Sequence, residues 1–283
     1  MKDFKDKVAV VTGGASGIGR GMAERFGEEG MKVVLADVEE QALKQAEAEF
    51  REKGVDVLGV LTDVSKPEDI EKLAQETLDA FGKVHVVCNN AGVAGAWGPT
   101  WENTLDDWNW IVGVNLWGVI YGVRTFLPIM LKQEEEGHIV NTASLAGLMP
   151  GQGIYGVTKQ AVVAISESLY NELHLMNAKV GVSVLCPGWV NTNIADASRN
   201  RPAELAKTVG AGIDDQRQQV VNEIVRNFLK NGLAPSEVGR QVFEAIRDDQ
   251  LYIITHPEMD FIFQERFDNI INRRNPKPRL LGA

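Results

Sequence analysis

Short runs of aliphatic and β-branched residues recur along the chain with helical patterns between them. Seven such runs, near residues 7–12, 32–36, 55–62, 84–89, 137–143, 180–186 and 251–255, predict strands. Strands that alternate with helices are the signature of a doubly wound α/β fold around a parallel sheet. The helix after the third strand is the clearest of the intervening ones. Ile70, Leu73, Ala74, Thr77, Leu78 and Phe81 repeat at helical spacing, and Ser65 with Glu68 has the pattern of a capping box at its start. Two longer helices are expected around 104–133 and 153–178.

Beyond the sixth strand the pattern changes. Ile194, Ala195 and Ala197 lead into a charged stretch, and then Val220, Val221, Ile224, Val225, Phe228 and Leu229 repeat at helical spacing. Residues 193–232 are therefore expected to form a helical lid. After the seventh strand, His256-Pro257 opens a helical tail over 257–283 that carries Phe261, Ile262, Phe267, Ile270 and Ile271. No linker, repeat or low-complexity tract divides the chain, so residues 1–283 are expected to form a single domain.

Composition narrows the class. The chain has 283 residues, 44% of them hydrophobic, enough for one sizeable core. A formal net charge of −10 without a basic patch argues against nucleic acid or an anionic membrane surface as partner. Cys88 and Cys186 both fall in strand-like segments and are expected to be buried, reduced thiols. His85, His138, His174 and His256 have no ligand spacing, so no metal site is expected. The amino terminus lacks the apolar core of a signal peptide, and no uncharged apolar stretch is long enough to span a bilayer; a cytoplasmic protein is expected.

Two motifs carry chemistry. The first strand ends in Thr12-Gly13-Gly14-Ala15-Ser16-Gly17-Ile18-Gly19, and a helix follows. Glycines at 13, 17 and 19 allow a tight turn and a close approach to a pyrophosphate, whose charge the free N–H groups of the helix start would meet. The second strand ends at Asp37, where a carboxylate can accept hydrogen bonds from the adenosine ribose and repel an added 2′-phosphate. NAD is therefore expected and NADP disfavoured. No lysine or arginine stands nearby in sequence to hold such a phosphate. The second motif is Tyr155 and Lys159. On a helix the two share a face, with about 6 Å of rise between them. A lysine cation there should pull the phenol's pKa toward the working range and make it a general acid or base.

Together with Asn89-Asn90-Ala91-Gly92, Asn115, Ser144 and Pro187-Gly188, these motifs occur once each and in order over residues 5 to 190. In this the chain resembles the short-chain dehydrogenase/reductase family. The resemblance implies a Rossmann-like fold and hydride transfer between NAD(H) and a CH–OH donor, with Tyr155 exchanging the proton. It implies that Lys159 lowers the tyrosine's pKa and holds the nicotinamide ribose, that Ser144 hydrogen-bonds the reacting oxygen, and that Asn115 bends its helix and anchors a water on a proton path. It places Asp63 and Val64 at the adenine, and Ser16, Ile18, Asn90, Ala91 and Gly92 around the cofactor. Pro187, Gly188, Val190 and Thr192 would hold the nicotinamide carboxamide. The loop from Ser144 to Tyr155 is shorter than in most relatives, which leaves Thr142 as a competing hydroxyl. Ser144 keeps the family's offset from the strand.

Trp97, Leu148, Met149, Gln152 and Trp189 are expected to rim the substrate pocket, and they suggest a mainly apolar secondary alcohol or ketone. The same fold serves dehydratases, epimerases and catalytically silent dinucleotide sensors, which stand as alternatives. A homodimer through the two long helices is expected, with a tetramer left open.

Overall fold

The computed structural model describes residues 1–95, 99–205 and 215–277, with the backbone alone at 215–218. Its strands are β1 (Val8–Thr12), β2 (Lys32–Asp37), β3 (Val57–Leu61), β4 (Val86–Asn89), β5 (Gly137–Thr142), β6 (Val180–Cys186) and β7 (Tyr252–Ile254). They form one parallel sheet in the order β3-β2-β1-β4-β5-β6-β7. Every residue of β1, β4 and β5 is buried, as strands covered on both faces must be, whereas the edge strands β3 and β7 are partly exposed. The order reverses between β1 and β4, so the crevice of a doubly wound sheet opens at the carboxyl ends of those two strands.

Helices α1 (Gly17–Glu28), α2 (Glu40–Glu52), α3 (Pro67–Phe81), α4 (Leu105–Val112), α5 (Gly118–Gln133) and α6 (Gly153–Leu175) follow the first five strands. Further along come α7 (Asp215–Lys230), α8 (Pro235–Asp248) and α9 (Asp260–Ile271). One core layer packs α1, α2 and α8 on the sheet through Met22, Phe26, Phe50 and Phe243. The opposite layer packs α3, α5 and α6 through Leu73, Phe126, Met130 and Leu173.

Three local expectations are corrected. Ser65 and Glu68 do not form a capping box. Pro67 occupies the first turn of α3 and holds Lys66 extended, so Lys66 is the N-cap and Ser65 lies outside the helix. Ser65 instead donates its N–H and hydroxyl to Asp63 Oδ1, at 3.0 and 2.7 Å. The apolar stripe of α7 is narrower than its sequence suggests. Val225 and Leu229 are buried and Val221 and Phe228 half-buried, while Val220 and Ile224 face outward, 52% and 46% exposed. The tail helix likewise buries Ile262 but exposes Phe261, Phe267, Ile270 and Ile271.

Between α4 and α5 the helix continues without a break but widens to a π-helical turn at Gly113–Trp117, centred on Asn115. The combined helix Leu105–Gln133 is long and apolar enough to cross a membrane by composition alone, yet it carries Arg124 and Lys132 and packs against α3 and the sheet.

Candidate functional site

Thr12, at the last position of β1, ties the floor of the crevice together. Its hydroxyl donates to Cys88 O at 3.2 Å and accepts from the N–H groups of Asn90 and Ala91 at 2.9 and 3.0 Å. The Asn90 side chain returns a bond to Thr12 O at 2.9 Å. These bonds clamp the ends of β1 and β4 together beneath the glycine turn. Gly13 is left-handed (φ +64°), and a Cβ on Gly19 would lie 2.0 Å from Gly13 O. Gly19 thus lets α1 start against the turn but does not itself line the cleft, which corrects its expected place among the lining residues.

The cleft above this floor has a volume of about 850 Å3. Gly13, Ser16, Gly17, Ile18, Asp37, Asp63 and Val64 line one end, Asn90, Ala91 and Gly92 its floor, and Pro187, Gly188, Val190 and Thr192 the far wall. Asp37 accepts from Ala15 N and Glu39 N, both at 3.1 Å. Burial nevertheless raises its pKa, against the pull of those N–H groups. The absence of a nearby cation does not survive folding. Arg199, 160 residues beyond Glu39, lines the same end of the cleft, where Glu39 holds it through Nε at 3.1 Å and through its terminal nitrogen at 2.6 Å. Asn200 Nδ2 donates to the same Glu39 oxygen at 2.9 Å, and the Arg199 bond holds the Glu39 carboxyl below its ordinary pKa.

Tyr155, Lys159 and Ser144 meet midway along the cleft. Gly147, in the turn after the end of β5, lets that turn approach the helix turn at Lys159, where a Cβ on it would lie 2.7 Å from Lys159 O. Lys159 Nζ donates to Thr142 O at 2.9 Å and stands 5.6 Å from the centre of the Tyr155 ring. Burial lowers the Lys159 pKa to about 8. The same burial raises that of Tyr155, and hydrogen bonding with Ser144 opposes the rise. In the ligand-free protein desolvation of the phenolate is the largest influence on Tyr155, and the net direction is upward.

Ser144 accepts from Ala146 N at 3.1 Å and donates to Pro187 O at 3.4 Å, which orients its hydroxyl at the strand's carboxyl end. Thr142 spends its hydroxyl on Asn90 Oδ1 at 3.2 Å. Asn115 is fully buried and does not reach the cleft. It accepts from Val93 N at 2.8 Å and donates to Val93 O at 2.9 Å and to Thr158 Oγ1 at 3.3 Å, while Thr158 donates to Tyr155 O at 2.8 Å. The widened turn thus braces the loop after β4 and the helix that carries the tyrosine.

Met149, Gln152 and Trp189 line the substrate end as expected. Leu148 does not: as the residue that closes the short turn Leu145–Gly147 it is half-buried and packs against the cluster of Val162, Val184 and Cys186. Trp97 lies outside the described residues. The α7 part of the outer wall, Val225, Phe228 and Leu229, falls within the expected lid, and sequence reasoning missed its α9 part, Ile262, Arg266 and Asn269. Trp189 stacks on Phe228 with ring centres 4.9 Å apart. The helical periodicity of α7 was visible, but nothing in it told which cavity the stripe would face. Cys88 and Cys186 are free and buried, Cys186 with its pKa pushed up to about 12. Among the described residues no cluster of metal-ligating side chains occurs.

The short chain dehydrogenase family profile matches residues 7–203. The chain is 32% identical to the CLA biosynthesis dehydrogenase/reductase of Lactiplantibacillus plantarum, over 100% of this chain and 99% of that one. It is 36% identical to the C alpha-dehydrogenase of Sphingobium sp. strain SYK-6, over 98% and 89% of the two chains. A crystal structure of a short chain dehydrogenase/reductase from Burkholderia phymatum in complex with NAD superposes with a TM-score of 0.95 at 45% identity, covering 99% of each chain.

Proposed function

We propose that this chain, which belongs to the short-chain dehydrogenase family, transfers hydride between NAD(H) and a secondary alcohol or ketone of mainly apolar character. Its relatives are named dehydrogenases and reductases, and the chain is an oxidoreductase of that CH–OH class. The observation that carries the finer reading is the meeting of Tyr155, Ser144 and Lys159 on a cleft whose other end presents Asp37. The left-handed Gly13, the open start of α1 and the half-buried Asp37 suit a dinucleotide, and the Burkholderia phymatum neighbour holds NAD.

The nicotinamide, when bound, supplies or accepts the hydride. Tyr155 gives its proton to the substrate oxygen in reduction and takes it back in oxidation. Ser144 donates to that oxygen as charge develops on it. Lys159 stabilises the phenolate left behind, and Asn115 holds the Val93 backbone and, through Thr158, the helix turn beneath Tyr155. Burial favours the protonated phenol, the form that reduction needs. The complete Ser, Tyr, Lys and Asn set argues against a purely dinucleotide-sensing role.

NAD preference is supported by two acids, Asp37 beside the expected ribose and Glu39, which neutralises Arg199. Turnover of secondary alcohols with NAD and NADP side by side tests the reading. NAD should be favoured strongly, and Asp37→Ser should narrow the preference; absence of turnover with either cofactor would overturn the proposal.

We read residues 193–232 as a cover over the cleft. Its described parts are pinned by the Arg199–Glu39, Arg201–Asp107 and Arg226–Asp196 ion pairs. Assembly as a homodimer through α4, α5 and α6 is supported by the apolar side chains they expose, Trp117, Val157 and Leu175 among them. Sedimentation as a monomer at micromolar concentration would refute it. A cytoplasmic setting is supported by the acidic charge and the two reduced thiols.

A further inference from the structure

We propose that the substrate carries a carboxylate, and that Arg266 of α9 binds it. This rests on the oxidoreductase reading of the same cleft. Arg266 is half-buried on a wall where the apolar Met149, Trp189, Phe228, Met259 and Ile262 stand beside the polar Asn269. A guanidinium on such a wall needs an anion or a full set of acceptors. It has two: Leu148 O, which accepts at 3.1 Å, and Gln160 Oε1, at 3.2 Å. Gln160 is itself held by its bond to Met149 O at 3.1 Å.

A guanidinium has five N–H donors, so three stay available, and the two in use fix its plane as a preorganised fork for a carboxylate. Among the described residues Arg266 makes no ion pair, although most arginines of this chain do. Glu265 also lines the cleft, but as the adjacent helical residue it points about 100° away around α9. Lys277 adds a second cation to the same wall.

The anchors set the distance to the chemistry. Leu148 lies between Ser144 and Tyr155 in the chain, and Gln160 follows Lys159 on α6, about 7.5 Å of helical rise beyond Tyr155. The fork therefore sits on the catalytic loop and helix, on the order of 10 Å from the phenol. A substrate that spans the gap presents its carbinol carbon at Tyr155, an apolar body along Trp189 and Phe228, and its carboxylate at Arg266. Binding energy at a remote carboxylate then orients the reacting carbon.

The test uses matched pairs that share one secondary alcohol and differ only as carboxylate or methyl ester, on open-chain (ricinoleic), steroidal (cholic) and aryl-alkanol skeletons. With the full-length enzyme and NAD, the acid of at least one pair should exceed its ester in kcat/KM by about tenfold or more. Arg266→Gln should remove that preference by raising KM for the acid to that of the ester in the same variant, and Arg266→Lys should restore part of it. A structural role alone would lower acid and ester together. Esters used as well as acids on every skeleton, or an acid preference that survives Arg266→Gln, would overturn the proposal.

Calorimetric titration of the same pairs into the NADH-loaded protein gives a readout that needs no turnover. Tighter binding of an acid, lost in Arg266→Gln, supports the site even if no compound is oxidised, a result that would count against the oxidoreductase reading alone. Equal or absent binding of acid and ester refutes it.

Discussion

The two ends of the cleft are built from different material. At the cofactor end, backbone and short side chains meet at contact distance: the Thr12 hydroxyl makes three bonds, Asn90 returns one, and Gly19 leaves no room for a Cβ against Gly13 O. At the expected substrate end, long side chains from α7 and α9 make the wall, and the Arg226–Asp196 ion pair ties α7 to the segment after β6. The first end has essentially one way to be assembled. The second can be refitted by changing side chains without moving the sheet, which on the proposed function would let substrate choice vary while the cofactor end stays fixed.

The sharpest break in that contrast is at Tyr155. Tyr155→Phe keeps the ring in its packed position but removes the proton, and should lower kcat by about three to four orders of magnitude. NADH binding, followed by fluorescence, should be nearly unchanged, which separates chemistry from cofactor affinity.

Ser144→Ala should lower turnover by roughly two to three orders of magnitude with the fold intact, since one donor to the developing oxyanion is lost. Thr142→Val should act on stability instead, because its hydroxyl is committed to Asn90. Thermal melts beside steady-state rates check the pair. A well-folded but inactive Thr142→Val with an active Ser144→Ala would reverse the assignment.

Lys159 tests the buried end by its pH dependence. Its pKa falls from 10.5 to about 8 on folding, so between those values the unfolded chain binds more protons and stability rises with pH. The ligand-free protein should gain up to roughly 3 kcal/mol across that window relative to Lys159→Met, measured by denaturant titration. Tyr155, with its folded pKa raised above 10.0, acts in the opposite sense only above that pH, so the comparison is cleanest from pH 8 to 10. A flat difference would show that the lysine is solvated.

The smallest effect is expected at the Asp37 end of the cleft. Glu39→Gln should release Arg199 toward the position of a 2′-phosphate and improve kcat/KM with NADP by about tenfold, and Arg199→Ala in the same chain should cancel the gain. An unchanged NADP rate in Glu39→Gln would leave cofactor choice to Asp37 alone.

Where the reading along the chain succeeded, the signal was local. β1, the glycine turn, α1, β2 and Asp37 are contiguous, and the apolar runs that become strands are close to the observed ones because burial on both faces keeps them mostly apolar, their few polar residues, such as Asn89, His138 and Asn141, being hydrogen-bonded inside. Tyr155 and Lys159 are one helical turn apart, so their pairing needed only a helix. The capping box failed because Pro67 restricts the residue before it, a local rule that outranks the Ser-x-x-Glu pattern. The outward turn of Val220 and Ile224 could not be foreseen, because periodicity gives the width of a stripe but not its partner.

By itself, then, the sequence determined the parallel sheet, the glycine turn after β1 and the pairing of Tyr155 with Lys159 on one helix. These depend on residues within a few positions of each other and on apolar runs too long to expose. Only the tertiary structure decided that the phenol's pKa goes up and not down, that Glu39 occupies Arg199, and that Arg266 comes to rest on Leu148 and Gln160 beside the catalytic helix. Each of these is a balance between burial and a charge or acceptor brought from more than a hundred residues away, or from the depth of the cleft. No pattern along a chain records where such groups meet, because desolvation and Coulomb attraction depend on distance in space.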